Sequence, residues 1–422
     1  MRGCAGTLRR GARGLRPRRM HRSFAIVKDR SREQLFRMAA TRPLTPSMIE
    51  RIPETQPLAS HSATPGTAAQ DSQRDSTPNS THQAMHGSTH DTATRPLVSI
   101  LLIAYNQAPV IADAVRAALA QTYQPLEILI SDDASKDGTF AAIEATVAKY
   151  SGPHQVTARR NTSNEGITAH LSRLAGMARG ELLFVTAGDD MSMPNRCERV
   201  VEFWLDHQRK PDLIATDLVD MDETGHVHER VSPTDLDTYR TFDDWLVRRP
   251  WLIGAAHTWS RRLFDRFGPM LPGAAAEDQI MTLRAILSGG ALSLHEPLVR
   301  YRRGGISRKK VFNSVGEQVA HFRKGNRVGL VELAQLQRDA EIAGIGERMR
   351  EALGPKLARE QFIQALFEAD SFTQRVSLAA RSRRAKRGLR MRMFLYASCP
   401  IVYAPGIYMK RLLRKRKATR RA

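Results

Sequence analysis

The sequence predicts an α/β fold in which a mostly parallel sheet carries helices on both faces. Short apolar runs alternate along the chain with segments whose apolar residues recur at helical spacing. Such alternation builds parallel sheets through right-handed crossovers. Two of the apolar runs lead into adjacent aspartates, and in α/β sheets ligands bind at the carboxyl ends of the strands. A ligand site is therefore expected at that edge.

The elements follow one another in a regular order. Strands are predicted at 97–104, 126–130, 155–158, 182–185 and 212–219, and most of them are continuous apolar runs, which indicates burial on both faces. Helical spacing predicts helices at 111–119, 140–150, 167–178, 194–205 and 280–287. The sequence Asp-Glu-Thr-Gly at 222–225 is typical of a hairpin turn.

The basic charge of the chain belongs to its two ends. The formal net charge is +22, but the excess of Lys and Arg lies in residues 1–38 and 378–422, and the segment between them is slightly acidic. The central part therefore lacks the basic surface that nucleic-acid binding requires, and we expect no nucleic-acid partner. The three cysteines are scattered, which indicates a reducing compartment and a cytoplasmic location.

The composition divides the chain into four parts. Residues 1–95 are predicted to be a basic N-terminus and a disordered linker, because 39–95 are rich in Thr, Ser, Pro and His without sustained periodicity. An α/β domain is expected at 96–310 and a helical extension at 311–380. The N-terminus has no apolar core of a signal peptide; it could be an organellar transit peptide, or the true start could be Met20, Met38 or Met48.

The stretch Glu-Leu-Leu-Phe-Val-Thr-Ala-Gly-Asp-Asp at 181–190 is the strongest candidate for chemistry. Its apolar run ends in Gly188 and the paired carboxylates of Asp189 and Asp190. Adjacent aspartates at a strand end can hold a divalent cation against a phosphate. The same residues also close many strands that bind nothing.

Other charged and aromatic groups allow two interpretations each. Asp132 and Asp133 follow the second strand. Glu277 and Asp278 begin a helix, where stabilisation by the helix dipole would be a complete explanation for them. The basic loop after Tyr301 could bind a diphosphate or could simply be solvated. Finally, three tryptophans could form a pocket wall or belong to the core: Trp245, Trp251 and Trp259.

Taken in order, these motifs resemble the family 2 glycosyltransferases, which have the GT-A fold, a Rossmann-like α/β arrangement. The matching segments span residues 97 to about 307 and are Val98 to Asn106, Ile130 to Thr139, Asn164 to Gly166, Gly188 to Asp190 with Pro194, Glu277-Asp278 with Leu283-Arg284, and Tyr301-Arg302. The resemblance implies an inverting transferase that moves a sugar from a nucleotide-diphosphate donor to a hydroxyl of a saccharide or lipid-linked acceptor. Among the possible donors, a UDP-sugar is expected first. Cell-surface polysaccharide or glycolipid assembly would be its setting.

The resemblance also implies a role for each site residue. Asp190 and Asp189 would hold Mg²⁺ or Mn²⁺, and Asp278, with Glu277 beside it, would take the proton of the acceptor hydroxyl. The donor would be bound by Tyr105, Asn106, Asp132, Asp133, Asn164, Gly166, Asp189, Arg302 and Arg303. The chain departs from the family at Ala187, where many relatives carry a further aspartate, and at Arg303, near which relatives often carry a histidine.

Two other functions fit the same residues at this stage. A sugar-phosphate nucleotidyltransferase also needs a nucleotide-binding α/β sheet with acidic metal ligands. A non-catalytic basic scaffold that binds a membrane or nucleic acid through its tails belongs to another class. Formation or consumption of pyrophosphate would identify the nucleotidyltransferase. A function that is unchanged by Asp190→Asn and Asp278→Asn would identify the non-catalytic scaffold.

The C-terminal part, 381–422, has the composition of a membrane-associating tail. Residues 393–409 carry no charge and are flanked by basic runs, but they are short for a bilayer span and contain Pro400, Pro405 and Gly406. They predict an interfacial or re-entrant anchor, which would make the protein peripheral or monotopic at the cytosolic face of an anionic membrane. The alternative is a buried terminal hairpin beside a solvated basic tail.

Overall fold

A computed structural model describes residues 95–302, 312–382 and 386–409. Arg303, the predicted linker and the basic residues 410–422 lie outside these ranges. The strands are β1 (Val98–Ala104), β2 (Leu126–Asp132), β3 (Gln155–Arg160), β4 (Leu182–Ala187), β5 (Met191–Ser192), β6 (Leu213–Met221), β7 (Val227–Val231), β8 (His257–Ser260) and β9 (Ala291–Arg302).

The strands form one mixed sheet in the order β3-β2-β1-β4-β8-β6-β9-β5, with β7 paired to β6. The first four strands are parallel, and Val98 of β1 is in register with both Leu126 and Leu182. The short β8 is antiparallel to β4 and β6, so β6 and β9 again run in the direction of β4. Since β5 and β7 are also antiparallel to their neighbours, six of the nine described strands share one direction. The predicted α/β class with a mostly parallel sheet is confirmed.

The helices cover both faces of this sheet. They are α1 (Ile111–Leu119), α2 (Thr139–Val147), α3 (Ile167–Met177), α4 (Arg196–Asp206), α5 (Phe242–Val247), α6 (Arg261–Phe267), α7 (Glu277–Ile286), α8 (Val315–Ile342), α9 (Gly346–Glu368), α10 (Phe372–Arg381) and α11 (Arg387–Ser398). Along β1, Ile100 and Leu102 share a core with α1, α2 and α4, whereas Leu101 faces α3, α6 and α7. This alternation is the two-residue period of a strand buried on both sides.

The tryptophans divide between the two uses that the sequence allowed. Trp245 and Trp259 are fully buried in the core, while 47% of Trp251 is exposed. Trp251 lies in the loop that joins α5 to the 3₁₀ segment Gly254–Ala256. It is therefore the one of these three tryptophans that a ligand could reach from solvent.

The first two helices of the C-terminal extension share the core of the sheet domain. Leu333 and Leu336 of α8 and Met349 and Leu353 of α9 belong to the same apolar cluster as Leu101 and Leu183. A buried ion pair joins the two parts: Arg284 of α7 donates from Nε to Oδ2 of Asp339 at 2.9 Å and from Nη2 to Oδ1 at 3.0 Å. Both side chains are inaccessible to solvent, so this pair fixes α8 against α7.

The last helices form a smaller apolar cluster. Met393 and Tyr396 of α11 pack against Phe362, Ile363 and Leu366 of α9. The uncharged stretch 393–409 is thus divided: its first residues lie in a packed helix, and Ile401 and Val402 are exposed. Among the described helices, none combines the length and the apolar character that crossing a bilayer requires.

We expect removal of one partner of the buried ion pair to destabilise the chain strongly. Asp339→Ala leaves the guanidinium of Arg284 buried without its carboxylate, which should lower the free energy of unfolding by about 3–5 kcal/mol. Urea unfolding at neutral pH measures the change. The matched control is Glu341→Ala, which removes the exposed partner of Arg350 and should cost about 0–1 kcal/mol. Equal effects of the two substitutions would contradict the role of the buried pair.

Candidate active site

A side chain at position 188, just after the end of β4, would have to displace the side chains of Gln107 and Ile111. A Cβ on Gly188 would lie 2.5 Å from Oε1 of Gln107 and 2.7 Å from Cδ1 of Ile111. The Gly188 amide donates to the carbonyl of Ile103 at 2.9 Å, which continues the β1–β4 ladder by one residue. Glycine therefore lets the chain turn directly at the sheet edge and deliver Asp189 and Asp190 there.

Asp189 and Asp190 form a pair of like charges, in which Asp190 is buried and Asp189 is partly exposed. Asp190 is 2% exposed, and its Oδ1 accepts the backbone amide of Arg302 at 2.8 Å. Burial, reinforced by the adjacent Asp189 carboxylate, raises the pKa of Asp190 well above its usual range. Burial also raises the pKa of Asp189. A divalent cation would relieve this repulsion, because carboxylate oxygens are its preferred ligands.

Arg302 is close to the acidic pair, but its side chain is directed toward the protein. Its Nε donates to the carbonyl of Asp189 at 3.2 Å, its Nη1 to the carbonyl of Glu223 at 3.3 Å, and its Nη2 lies 3.6 Å from Oδ2 of Asp113. Arg302 ends β9, which places it beside β5 and the acidic turn. These contacts hold the turn; donor binding by Arg302 stays a prediction.

A second arginine beneath the acidic pair was not predicted. Arg196 of α4 is 1% exposed, and it donates to Oγ of Ser192 at 3.0 Å and to the carbonyl of His257 at 3.2 Å. Burial lowers the pKa of Arg196 to about 10, and the negative charge of Asp190 works in the opposite direction. A single arginine in a helical segment carries no sequence signal of this kind, since its burial depends on strands that are distant in the chain.

Asp133 organises the loop between β3 and α3. Each of its carboxylate oxygens accepts two hydrogen bonds, and the donors are Nδ2 of Asn161 at 2.7 Å, Nδ2 of Asn164 at 2.9 Å, the amide of Glu165 at 2.9 Å and the amide of Gly166 at 2.9 Å. Gly166 has a φ of 80°, a backbone conformation that residues other than glycine rarely adopt. Four donors use the accepting capacity of a carboxylate. The structure thus brings together the predicted residues Asp133, Asn164 and Gly166.

Asp132 stabilises the neighbouring loop after β2. It is fully buried, accepts the amide of Ser135 at 3.1 Å and lies 3.1 Å from Nε of Arg160. The hydroxyl of Ser135 in turn accepts the amide of Asn106 at 2.8 Å, so the loops after β1 and β2 are joined. Tyr105, at the tip of the first loop, is 44% exposed and accessible to a ligand.

The second acidic pair lies at the start of α7 and close to a glycine. A Cβ on Gly254 would lie 2.5 Å from Oε1 of Glu277 and 3.7 Å from Cβ of Asp278, so the backbone of the segment Gly254–Ala256 runs directly over the pair. Asp278 is 8% exposed, and its Oδ1 accepts the amide of Gln279 at 2.8 Å. That accepted amide belongs to the first turn of the helix, as the dipole explanation requires.

The segment Gly254–Ala256 connects the two acidic pairs. It packs against β4, the strand that ends in Asp189 and Asp190. Its Ala256 also shares a small apolar cluster with Tyr301, the residue before Arg302. The segment Gly254–Ala256 thus contacts both β4, which precedes Asp189 and Asp190, and the start of α7, which carries Glu277 and Asp278.

The residues present fit a divalent cation that is held partly by the substrate. The described residues contain no group of three or more His, Cys, Asp or Glu able to hold a metal ion by themselves. Two adjacent carboxylates with oxygens from a diphosphate and water match the usual coordination of Mg²⁺ in nucleotide sites. Ala187, where many relatives carry an aspartate, is consistent with such an incomplete protein ligand set.

A separate surface cleft of about 470 Å³ lies along residues 234–248. None of the predicted site residues lines it. One of its polar groups, Asp244, accepts the amide and the hydroxyl of Thr241, each at 2.8 Å, in the capping box of α5. The cleft is therefore not part of the candidate site.

Comparison with known proteins finds similarity to one family of glycosyltransferases. Residues 99–251 match the family Glycosyl transferase family 2. A putative glycosyltransferase, EpsE of Bacillus subtilis (strain 168), is 31% identical over 139 residues, which are 33% of this chain and 49% of that protein. An uncharacterized glycosyltransferase of Haemophilus influenzae is 29% identical over 106 residues, 25% of this chain and 34% of its own length. The chain thus spans half or less of the length of these relatives.

Solved structures of glycosyltransferases are similar at lower identity. S. aureus TarS in complex with UDP-GlcNAc has 15% identity and a TM-score of 0.43, with 73% of this chain and 92% of that chain covered. The mannosyltransferase PcManGT of Pyrobaculum calidifontis, in complex with GDP-Man and Mn²⁺, has 18% identity and a TM-score of 0.42, with coverage of 73% and 87%. Residues 99–251 are therefore similar to the family 2 glycosyltransferases, and they lie in the mixed α/β sheet described above.

Proposed function

We propose that the chain is an inverting, metal-dependent glycosyltransferase that moves a sugar from a nucleotide-diphosphate donor to an acceptor hydroxyl. The observation that carries this proposal is the acidic pair Asp189–Asp190 after the end of β4, with the segment Gly254–Ala256 in contact both with β4 and with Glu277 and Asp278. One acidic pair suits a diphosphate-bound cation and the other suits a proton acceptor. The family match to residues 99–251 supports the same reaction class.

The donor side of the site would be built from the loops after β1, β2 and β3. Tyr105 is exposed and can stack on a base, and Asn106 is joined to Ser135 of the second loop. Asp133 holds Asn164 and Gly166 in place, so its own role would be to shape the nucleoside pocket. A UDP-sugar is the donor that we propose.

The acidic turn would stabilise the negative charge of the leaving group through a bound cation. Asp189 and Asp190 would hold Mg²⁺ or Mn²⁺, which supplies electrostatic stabilisation of the departing diphosphate. Arg302 keeps this turn in position through the carbonyl of Asp189. Arg196 lies underneath as a fixed positive charge. Both arginines stabilise the ionised form of Asp190 while no cation is bound.

The acceptor side would be the start of α7. Inversion at the anomeric carbon requires attack from the face opposite the leaving group, with a base for the proton of the acceptor hydroxyl. Asp278 would accept this proton, and Glu277 would lie beside it under Gly254. We propose a saccharide or lipid-linked acceptor in cell-surface polysaccharide or glycolipid assembly, reached by a protein that is peripheral or monotopic at the cytosolic membrane face.

A donor screen tests the reaction class. Incubation with a panel of UDP-, GDP- and TDP-sugars and Mg²⁺ or Mn²⁺ should release nucleoside diphosphate with one donor above the others. Formation or consumption of pyrophosphate would instead identify a nucleotidyltransferase. Asp190→Asn keeps an acceptor for the Arg302 amide but removes the charge, so turnover should fall by about 10²-fold or more. Unchanged turnover in this variant would contradict the proposed site.

Thermal unfolding tests the cation site without catalysis. Because the pKa of Asp190 is raised in the folded chain, its ionised form lowers stability as the pH rises above about 4. Without divalent cations at neutral pH, Asp190→Asn should therefore unfold at a temperature no lower than the wild type. Mn²⁺ with UDP should stabilise the wild type by about 2.7 kcal/mol at a hundredfold excess over Kd, and the variant far less.

The control for the thermal experiment is UDP alone with a chelator, which should give a small shift in both proteins. An equal Mn²⁺-dependent shift in wild type and variant would place the cation elsewhere.

Substitution of the proposed base should affect the chemical step alone. Asp278→Asn should lower kcat by about 10²–10⁴-fold and leave the Mn²⁺-dependent thermal shift intact, because the cation ligands remain. Rapid-quench assays with a saturating acceptor measure kcat. The matched control is Glu347→Gln, an exposed carboxylate in the first turn of α9, which should not change kcat. A loss of stability without a loss of kcat would identify Asp278 as a helix-capping residue only.

A further inference from the structure

We propose that the outer faces of α10, α11 and the turn Pro400–Tyr403 form a docking surface for an anionic lipid bilayer. We name it the C-terminal apolar surface and define it by five exposed apolar side chains: Phe372, Val376, Met391, Ile401 and Val402. The proposal deepens the proposed function, since it states how the enzyme would reach a membrane-held acceptor. Bilayer binding is nevertheless measurable without sugar transfer.

The three elements lie side by side because their inner faces are packed. Leu378 of α10 and Leu389 of α11 lie against the cluster built by α9 and by Met393 and Tyr396 of α11. The ring of Tyr403 stacks on Tyr396 with centroids 4.0 Å apart, which fixes the turn against α11. A rigid scaffold thus determines which side chains are left on the outside.

The outer faces expose an unusual amount of apolar surface. The exposed fractions are 61% for Phe372, 43% for Val376, 61% for Met391, 68% for Ile401 and 54% for Val402. Tyr408 and Met409 follow at 63% and 55%. Half of the exposed large apolar side chains of the described residues lie between 372 and 409. Phe372 and Val376 are four residues apart on α10, and Ile401 and Val402 are adjacent, so these exposed apolar side chains do not occur singly.

The charged residues that follow Phe372 in the sequence are all basic, while Glu368 and Asp370 lie just before it. The sequence contains no Asp or Glu after Asp370, and exposed basic residues accompany the apolar ones: Arg381, Lys386, Arg387 and Arg392. The sequence from 410 onward adds eight more Lys and Arg. Basic residues near a bilayer surface are attracted by anionic headgroups, while apolar side chains between them enter the headgroup region.

The combination favours a bilayer over other partners. A second copy of the chain would bring like charges together across the interface, which costs free energy. Nucleic acid would contact the arginines, and a base could stack on Phe372, but the aliphatic side chains of Ile401 and Val402 would stay in water, because bases stack on aromatic side chains and duplexes make polar contacts. An anionic bilayer satisfies both the positive charge and the apolar side chains.

Vesicle sedimentation tests the proposal with the full chain. Wild type should bind vesicles that contain phosphatidylglycerol and should bind phosphatidylcholine vesicles weakly. Ile401→Ser with Val402→Ser should lower the partition coefficient by about tenfold or more. Arg387→Gln with Arg392→Gln should lower it by roughly fivefold per charge, and the residual binding should be less sensitive to salt.

Matched controls separate this surface from general apolar or basic character. Val247→Ser replaces a side chain that is 87% exposed elsewhere, and Arg348→Gln with Arg350→Gln removes two exposed charges from α9. Neither control should change the partition coefficient. Circular dichroism of every variant shows that the fold is retained, and a soluble acceptor should give the same transfer rate in the Ile401/Val402 variant and in the wild type.

Three results would overturn the proposal. The first is unchanged binding to anionic vesicles in both variants. The second is equal binding to phosphatidylglycerol and phosphatidylcholine vesicles. The third is a dimer, measured by light scattering, that the serine substitutions convert to a monomer without any effect on vesicle binding. Failure of sugar transfer with a soluble acceptor would instead count against the proposed function and leave bilayer binding as a separate result.

Discussion

The structure around the candidate site depends on two neighbouring carboxylates, of which Asp190 is buried and Asp189 is partly exposed. Asp189 and Asp190 repel each other at short range, and burial removes the solvent that would screen them. The chain supplies partial compensation through the amide of Arg302 and the positive charge of Arg196, but neither arginine forms a direct ion pair with Asp190 among the described contacts. The repulsion between the two carboxylates therefore remains, and a bound cation would relieve it. The surrounding contacts are accordingly directed at the backbone of the turn.

The same requirement accounts for the loops at this sheet edge. Gly188 turns the chain where a side chain would collide with Gln107 and Ile111. The carboxylate of Asp133 accepts hydrogen bonds from the loop before α3 and fixes it. Asp132 accepts from Ser135 and fixes the loop before α2 in the same way. Carboxylates therefore serve two functions here. Those saturated by protein donors build the walls, and the pair with few protein donors remains available to a ligand.

The sequence predicted the parts of the fold that depend on local pattern. The apolar runs locate β1, β2 and β4 to within two residues at each end. The acidic pairs lie at or just after the ends of β2 and β4 and at the start of α7, as the sequence predicted. Residues whose role depends on distant packing were not identified. Arg196 is an ordinary residue in the sequence, and its burial follows from the short strand β8, whose His257 carbonyl it reaches across the sheet. Likewise, the hydrogen-bond partners of Asp132 and Asp133 were not predicted, because they come from Ser135, Arg160 and the loop 161–166. Donor binding by these two residues stays a prediction.

The helical extension also bears on the chemistry, although it lies after the motifs that define the family. Helix α7 begins with Glu277 and Asp278 and carries Arg284 six residues further on, about 9 Å along the helix axis from Asp278. Because Arg284 is locked to Asp339 of α8, the extension fixes the axial position and rotation of α7 from its far end. At its near end, Gly254 allows the 3₁₀ segment to close over the acidic pair. A carboxylate that must meet an acceptor hydroxyl at hydrogen-bond distance tolerates little displacement. The first helix of the extension is therefore a structural support of the start of α7, where we propose the acceptor site, rather than a separate module.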